Sequence, residues 1–216
     1  MRRKSKSSGR WLNKHENDEY VLRARKDGYR SRASYKLLEM DQKFGLFRPG
    51  TVVVDLGAAP GGWMQIASKK CGPDGFIVGL DILDLKPIEG TSFIKGDFTH
   101  EKVLHELTSV LEERAVDLVI SDMAPNLSGK KEIDQPITIY LAELALEFAC
   151  SALTSGGTLL LKSFEGEGIG QLREVFRSKF KQVTNFKPEA SRPNSREIYI
   201  VGRSLKAGFD RNAFQL

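Results

Sequence analysis

The sequence predicts a single α/β domain built on a mostly parallel, doubly wound sheet of seven strands. Short apolar runs alternate with segments of helical periodicity along most of the 216 residues, which indicates repeated strand–helix–strand units. Hydrophobic residues make up 40% of the chain, enough for one full core. The last two predicted strands have no helical pattern between them, so we expect one antiparallel strand near the C-terminus.

Turn residues delimit the elements in the first half of the chain. Ser31 opens the first predicted helix, and the turn Arg48-Pro49-Gly50 leads into the first strand. Gly72-Pro73 stops the helix that follows this strand. In this half we predict helices over 32–43 and 62–70, and strands over 51–56, 76–81 and 91–95.

The second half repeats the same alternation. Asp134 is the predicted N-cap of the longest helix, with Pro136 in its first turn, and Gly156-Gly157 leads into the fifth strand. In this half we predict helices over 100–113, 134–153 and 168–180, and strands over 116–121, 158–163, 182–187 and 196–202.

The positive charge is concentrated at the N-terminus. Residues 1–36 carry 12 Lys/Arg and 4 Asp/Glu, whereas residues 37–216 carry 21 and 24. A solvated tail is one interpretation, but the basic residues continue between tyrosines, which favours a nucleic-acid surface. We therefore divide the chain into a basic N-terminal tail and lead-in over 1–30 and one domain over 31–216.

Composition also limits the classes of protein to consider. No apolar run approaches the roughly 20 residues that span a bilayer, and the basic start lacks the apolar core of a secretory signal. The two cysteines, Cys71 and Cys150, are far apart, which is typical of free thiols in a reducing cytosol. The three histidines form no metal-ligand spacing. We expect a cytoplasmic protein with no membrane or metal partner.

A glycine-rich turn follows the first predicted strand and marks a ligand site. The segment 52–63, VVVDLGAAPGGW, places an acid and then this turn at the carboxyl end of the strand, where open α/β sheets bind ligands. A dinucleotide-binding site typically contains the motif Gly-x-Gly-x-x-Gly, in which the second glycine lets the backbone approach a pyrophosphate. Ala59 occupies the second glycine position and Pro60 has no N–H to donate, which weakens a nicotinamide dehydrogenase as an alternative.

S-adenosylmethionine fits this site better, because it has no phosphate. Asp81, at the end of the second strand, can accept hydrogen bonds from ribose hydroxyls, and Asp97 can accept from the adenine amino group. The glycine turn lets the methionine end approach, and Trp63 can form a wall. The candidate cofactor-binding residues are Asp55, Gly57, Pro60, Gly61, Gly62, Trp63, Asp81, Asp97 and Asp122.

Lys162 ends an otherwise apolar strand. An ammonium group there is costly unless it is paired, functional, or able to reach water along its own stem. Asp122 closes the neighbouring predicted strand. The sequence therefore predicts an ion pair between the two at the carboxyl edge of the sheet.

Four motifs together resemble the FtsJ/RlmE family, the bacterial 2′-O-ribose methyltransferases of large-subunit ribosomal RNA. They are DLGAAPGGW at 55–63, SDMAPNLSG at 121–129, EGEG at 165–168 and SREIYIV at 195–201. The match extends over nearly the whole chain, including RWL at 10–12. It implies a Rossmann-like S-adenosylmethionine-dependent methyltransferase fold and a catalytic domain over 31–216.

The resemblance also implies the catalytic residues and the substrate. The Lys-Asp-Lys-Glu tetrad of the family falls on Lys36, Asp122, Lys162 and Glu197. A ribose hydroxyl is a poor nucleophile, so orientation supplies much of the rate, and Lys162 either accepts the hydroxyl proton or orients an oxygen lone pair. The implied acceptor is a uridine in 23S ribosomal RNA on the assembled 50S subunit.

Other functions stay open at this point. A tRNA 2′-O-methyltransferase has the same tetrad, and a non-catalytic RNA-binding assembly factor can have the same fold. An amino-methyltransferase typically has an aromatic residue in the segment after the fourth strand, where this chain reads Asp122-Met123-Ala124-Pro125-Asn126. Without any sequence signal for an oligomer, we expect a monomer.

Overall fold

The structure is a computed structural model that describes residues 18–125 and 128–207. Over this part of the chain it contains six helices and seven strands. The helices are α1 (Glu19–Asp27), α2 (Ala33–Phe44), α3 (Gly62–Cys71), α4 (Glu101–Leu111), α5 (Lys131–Ala152) and α6 (Ile169–Lys179). The strands are β1 (Val52–Leu56), β2 (Phe76–Asp81), β3 (Thr91–Lys95), β4 (Val116–Ser121), β5 (Leu153–Phe164), β6 (Phe180–Phe186) and β7 (Glu197–Leu205).

All seven strands join one sheet in the order β3-β2-β1-β4-β5-β7-β6. Strands β1 to β5 are parallel to their neighbours, and β7 is antiparallel to both β5 and β6. The predicted α/β class and the single antiparallel strand are thus confirmed. This topology brings the carboxyl ends of the parallel strands to one edge, where the start of β7 joins them.

Helices cover both faces of the sheet, because successive strand residues point to opposite sides. In β1, Val54 and Leu56 join the core beneath α4, α5 and α6, whereas Val53 joins the core beneath α2 and α3. Both cores consist mainly of fully buried aliphatic side chains. Both faces of each central strand are therefore buried. This explains why the strands appear in the sequence as continuous apolar runs, as is usual in parallel sheets.

Helix α1 is a structural feature that the sequence analysis did not predict. Its residues fall in the segment interpreted as a basic lead-in, while residues 1–17 lie outside the described part of the chain. Asp18 caps the helix by accepting from the Tyr20 amide at 3.0 Å. Val21 and Ala24 are the only residues of α1 that are buried. Two small apolar contacts among charged residues gave too weak a periodicity to recognise.

The start of α5 differs from the prediction as well. The helix begins at Lys131, so Asp134 is not its N-cap and Pro136 lies beyond the first turn. The Asp134 carboxylate instead accepts from the amides of Ser128, at 2.7 Å, and Gly129, at 2.9 Å. Asp134 therefore binds the segment before the helix. In the sequence, an acid with this role looks the same as an acid that caps the helix.

We expect Gly202→Ala to destabilise the fold. A Cβ atom at this position in β7 would lie 2.6 Å from the ring of the buried Phe180. Overpacking of this kind costs about 1–3 kcal/mol of unfolding free energy. Gly170→Ala in α6 is the matched control, because its Cβ would meet nothing within 4 Å, and alanine is favoured over glycine in a helix by about 0.5–1 kcal/mol. Urea denaturation of both variants measures the difference, and equal effects would contradict the packing argument.

Candidate active site

Two ion pairs lie side by side at the carboxyl edge of the sheet. The first joins Lys162, near the end of β5, to Asp122, just beyond β4, with 3.0 Å between Nζ and Oδ1. Lys162 also donates to the main-chain oxygen of Asp122. The Lys162 side chain is only 9% exposed, so both contacts are needed to compensate for the desolvation of its charge.

The second ion pair joins Lys36, in α2, to Glu197, the first residue of β7. Nζ lies 2.5 Å from Oε1, and both side chains are 12% exposed. Antiparallel register explains why the two pairs are neighbours. Glu197 lies opposite Phe164 and Tyr199 opposite Lys162, so the start of β7 lies beside the end of β5.

Tyr199 connects the two ion pairs and was missed by the sequence analysis. Its hydroxyl donates to Oδ1 of Asp122 at 2.9 Å, and its ring centroid lies 5.8 Å from Nζ of Lys36. Burial, together with the charges of Asp122 and Glu197, raises the pKa of Tyr199 well above its usual value, so the phenol stays a hydrogen-bond donor. Its position two residues after Glu197, on the same face of a strand, is the sequence signal that could have identified it.

Two further acids are fixed on the other half of the same edge. Asp81 accepts from the Ala59 amide at 2.9 Å and from the Leu83 amide at 2.8 Å. Asp97 accepts from the amide of Thr99 at 2.9 Å and from its hydroxyl at 2.7 Å, and these bonds lower the pKa of Asp97. Both carboxylates are thereby held in one orientation before any ligand arrives.

The glycine turn between β1 and α3 leaves no room for side chains. Gly57 has φ +81°, and a Cβ there would lie 2.9 Å from the main-chain nitrogen of Met123. Gly61 has φ +104°, and its Cβ would lie 2.9 Å from Nη1 of Arg30. A Cβ on Gly62 would lie 2.6 Å from the hydroxyl of Ser34. Pro60 lies between these glycines after a cis peptide bond. Glycine is therefore required at these positions because the turn packs closely against Met123, Arg30 and Ser34.

Asp55 and Trp63 are buried beneath this turn. Asp55 is fully buried, and neither carboxylate oxygen has a hydrogen-bond partner among the described residues. Burial, and then the charges of Asp122 and Asp81, raise the pKa of Asp55 well above its usual value. The Trp63 indole is packed in the core and donates to the carbonyl of Ala33 at 2.8 Å. The Trp63 side chain is thus buried in the core, and its expected role as a wall of the cofactor site stays a prediction.

Arg30 fixes the loop after β2 beside the glycine turn, a role that sequence patterns did not suggest. Its guanidinium donates to the carbonyls of Lys86, at 2.5 Å, and Pro87, at 2.9 Å. These contacts hold the loop after β2, which begins with the exposed Ile82 and Leu83. The loop is thus positioned next to Asp81 and the glycine turn.

Two further features are absent from the described residues. Over 18–125 and 128–207, no cluster of His, Cys, Asp or Glu has the geometry to hold a metal ion. None of the helices found there has the length and hydropathy of a membrane span.

Known proteins with similar sequences cover nearly the whole chain. The ribosomal RNA large subunit methyltransferase E of Chromohalobacter salexigens is 53% identical over 201 residues, which are 93% of this chain and 96% of the relative. The protein of the same name from Hahella chejuensis is 49% identical over 94% of this chain and 98% of its own.

Comparison of structures gives the same result. A crystal structure described as a ribosomal RNA methyltransferase from Plasmodium falciparum superposes with a TM-score of 0.74 at 29% identity, over 82% of this chain and 98% of that one. The sequence model of the FtsJ-like methyltransferases matches residues 29–205. The resemblance inferred from the motifs is confirmed: the chain belongs to the FtsJ-like methyltransferase family.

Proposed function

We propose that this methyltransferase uses S-adenosylmethionine to methylate the ribose 2′-OH of a uridine in large-subunit ribosomal RNA. The observation that carries the proposal is the joining of the Lys162–Asp122 and Lys36–Glu197 ion pairs at one edge of the sheet. The relatives named for large-subunit ribosomal RNA support the substrate class. We further propose that the protein acts as a cytoplasmic monomer on the assembled 50S subunit.

The residues on the β1–β3 half of the edge fit the cofactor. Asp81 is oriented to accept from ribose hydroxyls, and Asp97 from the adenine amino group. The glycine turn lies where the methionine end would approach, and the unpaired carboxyl of Asp55 lies beneath this turn. When bound, S-adenosylmethionine supplies an electrophilic methyl group on a positively charged sulfur. A run of acids suits this cation and would repel a pyrophosphate.

The contacts of Lys162 favour orientation of the ribose oxygen over abstraction of its proton. An ammonium has three donors and no acceptor. Two of the Lys162 donors point to oxygens of Asp122, which leaves one for a lone pair of the acceptor hydroxyl. Held in this way, the hydroxyl oxygen would keep a lone pair free for the methyl donor, and Lys36 with Glu197 would hold the ribose. As the O–CH3 bond forms and the S–CH3 bond breaks, the hydroxyl proton is released to water.

We expect Lys162→Ala to lower methyl transfer by about a hundredfold or more, the contribution typical of a positioned group at the reacting atom. The variant should bind S-adenosylmethionine normally, because Lys162 lies on the acceptor side. Lys69→Ala, at an exposed position in α3, is the control.

Labelled S-adenosylmethionine, incubated with large subunits, free ribosomal RNA and tRNA, measures the transfer. Nuclease digestion then locates the label on ribose or base. Wild-type turnover by Lys162→Ala would remove this residue from the mechanism, and preference for tRNA would replace the proposed substrate. An absence of transfer to all three RNAs would favour the non-catalytic assembly factor.

Tyr199→Phe tests whether the phenol positions Asp122. Loss of a hydrogen bond to a charged group should lower kcat about tenfold, with little change in KM or in cofactor affinity. Asp122→Asn keeps the shape but removes the charge, and it should lower kcat further. A Tyr199→Phe enzyme with unchanged kcat and a lowered unfolding free energy would show that the hydroxyl serves stability alone.

The burial of Asp55 predicts a pH-dependent stability. Because the pKa of Asp55 is raised in the folded state, the folded protein holds a proton that the unfolded chain loses near pH 4. Wild-type stability therefore falls as pH rises from about 4 toward the folded-state pKa. We expect Asp55→Asn to raise the thermal midpoint of the ligand-free protein, by an amount that grows over this range. Asp74→Asn, at an exposed acid, is the control, and melting curves that differ equally at every pH would contradict the argument.

A further inference from the structure

Helix α5 carries an apolar stripe on its solvent side. Ile133, Ile137 and Tyr140 are 49%, 44% and 52% exposed, and their spacing of four and three residues places them on one face. The opposite face, which includes Ala142 and Ala145, is buried in the core. Three large apolar side chains aligned on the exposed face of one helix indicate a surface that contacts another molecule.

After Lys131, every charged residue of α5 is acidic. Residues 132–152 contain four acids and no Lys or Arg. Of these acids, Glu132, Glu143 and Glu147 are exposed. The stripe and these three exposed acids together form what we call the α5 surface. It contrasts with the basic lead-in, which suits phosphates.

The α5 surface is tied to the catalytic edge. Gln135, in the first half of the helix, donates to the carbonyls of Phe164, at 3.3 Å, and Glu167, at 2.9 Å. Phe164 ends β5, the strand that carries Lys162, and Glu167 lies in the turn that follows it. A molecule that contacts α5 therefore lies close to the acceptor when the active site is engaged.

Charge decides between the possible occupants of the α5 surface. RNA phosphates would meet three exposed carboxylates and be repelled. A second copy packed α5 against α5 would bring six exposed carboxylates into one interface, and neither helix has a basic residue after Lys131 within the stripe to neutralise them. A basic protein segment with apolar side chains satisfies both the charge and the stripe.

We propose that the α5 surface docks a basic protein segment of the ribonucleoprotein particle that carries the RNA substrate. This inference rests on the proposed function for the identity of the particle. It implies that recognition is divided: the basic lead-in contacts RNA, and α5 contacts protein beside it. A particle that retains its proteins is then bound more tightly than its naked RNA.

The experiment compares Ile137→Ser/Tyr140→Ser with wild type for co-sedimentation with large ribosomal subunits and with the protein-free RNA extracted from them. We expect affinity for subunits to fall by about tenfold and affinity for naked RNA to stay unchanged. Glu143→Gln/Glu147→Gln, which removes the two carboxylates without adding positive charge, should act in the same direction. Val175→Ser, at a 42% exposed apolar position in α6, is the control and should change neither.

If the variant lost affinity equally for subunits and for naked RNA, α5 would contact RNA. If its affinity for subunits were unchanged, the α5 surface would not be a docking site. A change in sedimentation of the protein alone would identify a second copy as the occupant. Each of these results overturns the proposal. Because binding is measured without methyl transfer, and cofactor affinity is checked separately, a failure of the proposed catalysis is distinguishable from a failure of docking. A photoreactive residue placed at Tyr140 should crosslink to protein, and crosslinks to RNA alone would also contradict the proposal.

Discussion

The buried pair of Lys162 and Asp122 is the interaction on which the site depends. An ammonium group that is 9% exposed is stable only because Asp122 supplies two oxygens to it. Asp122 in turn is fixed by the hydroxyl of Tyr199, and Tyr199 is placed opposite Lys162 by the register of β5 and β7. The single antiparallel strand therefore has a chemical consequence: it brings a donor and an acid from β7 to an edge that parallel strands alone would not supply.

A second constraint is the imbalance of charge along this edge. Four acids lie at this edge: Asp55 near the end of β1, Asp81 at the end of β2, and Asp97 and Asp122 just beyond β3 and β4. Lys162 and Lys36 are paired with Asp122 and Glu197, and the Arg30 guanidinium donates to main-chain carbonyls. This imbalance disfavours the charged form of Asp55, because burial and the charges of Asp122 and Asp81 raise its pKa. A positively charged ligand relieves this imbalance, whereas an anionic dinucleotide would add to it. The electrostatics thus supports the cofactor independently of the glycine turn.

The sequence predicted those parts of the structure that local patterns determine. Buried parallel strands appear as β-branched apolar runs, and the acids that end them are visible because a charge interrupts each run. Tyr199 and Arg30 were missed because their roles arise from contacts 77 and 56 residues away in the chain, with Asp122 and Lys86. Asp134 was misassigned because the same acid can cap a helix or hold the loop before it, and only the main-chain geometry distinguishes the two.

The N-terminal segment and α5 show how one domain can separate two kinds of recognition. Helix α1 is held to the domain by the ion pair between Arg32 and Asp18 and by the packing of Tyr20 on Tyr35, so part of the basic lead-in has a fixed position. Its charge attracts phosphates over a Debye length of about 8–10 Å, which aids encounter but gives little orientation. An apolar contact on α5 acts only at short range and therefore supplies orientation. Under the proposed function, separating the two tasks would let the enzyme find RNA rapidly and still place one ribose at Lys162.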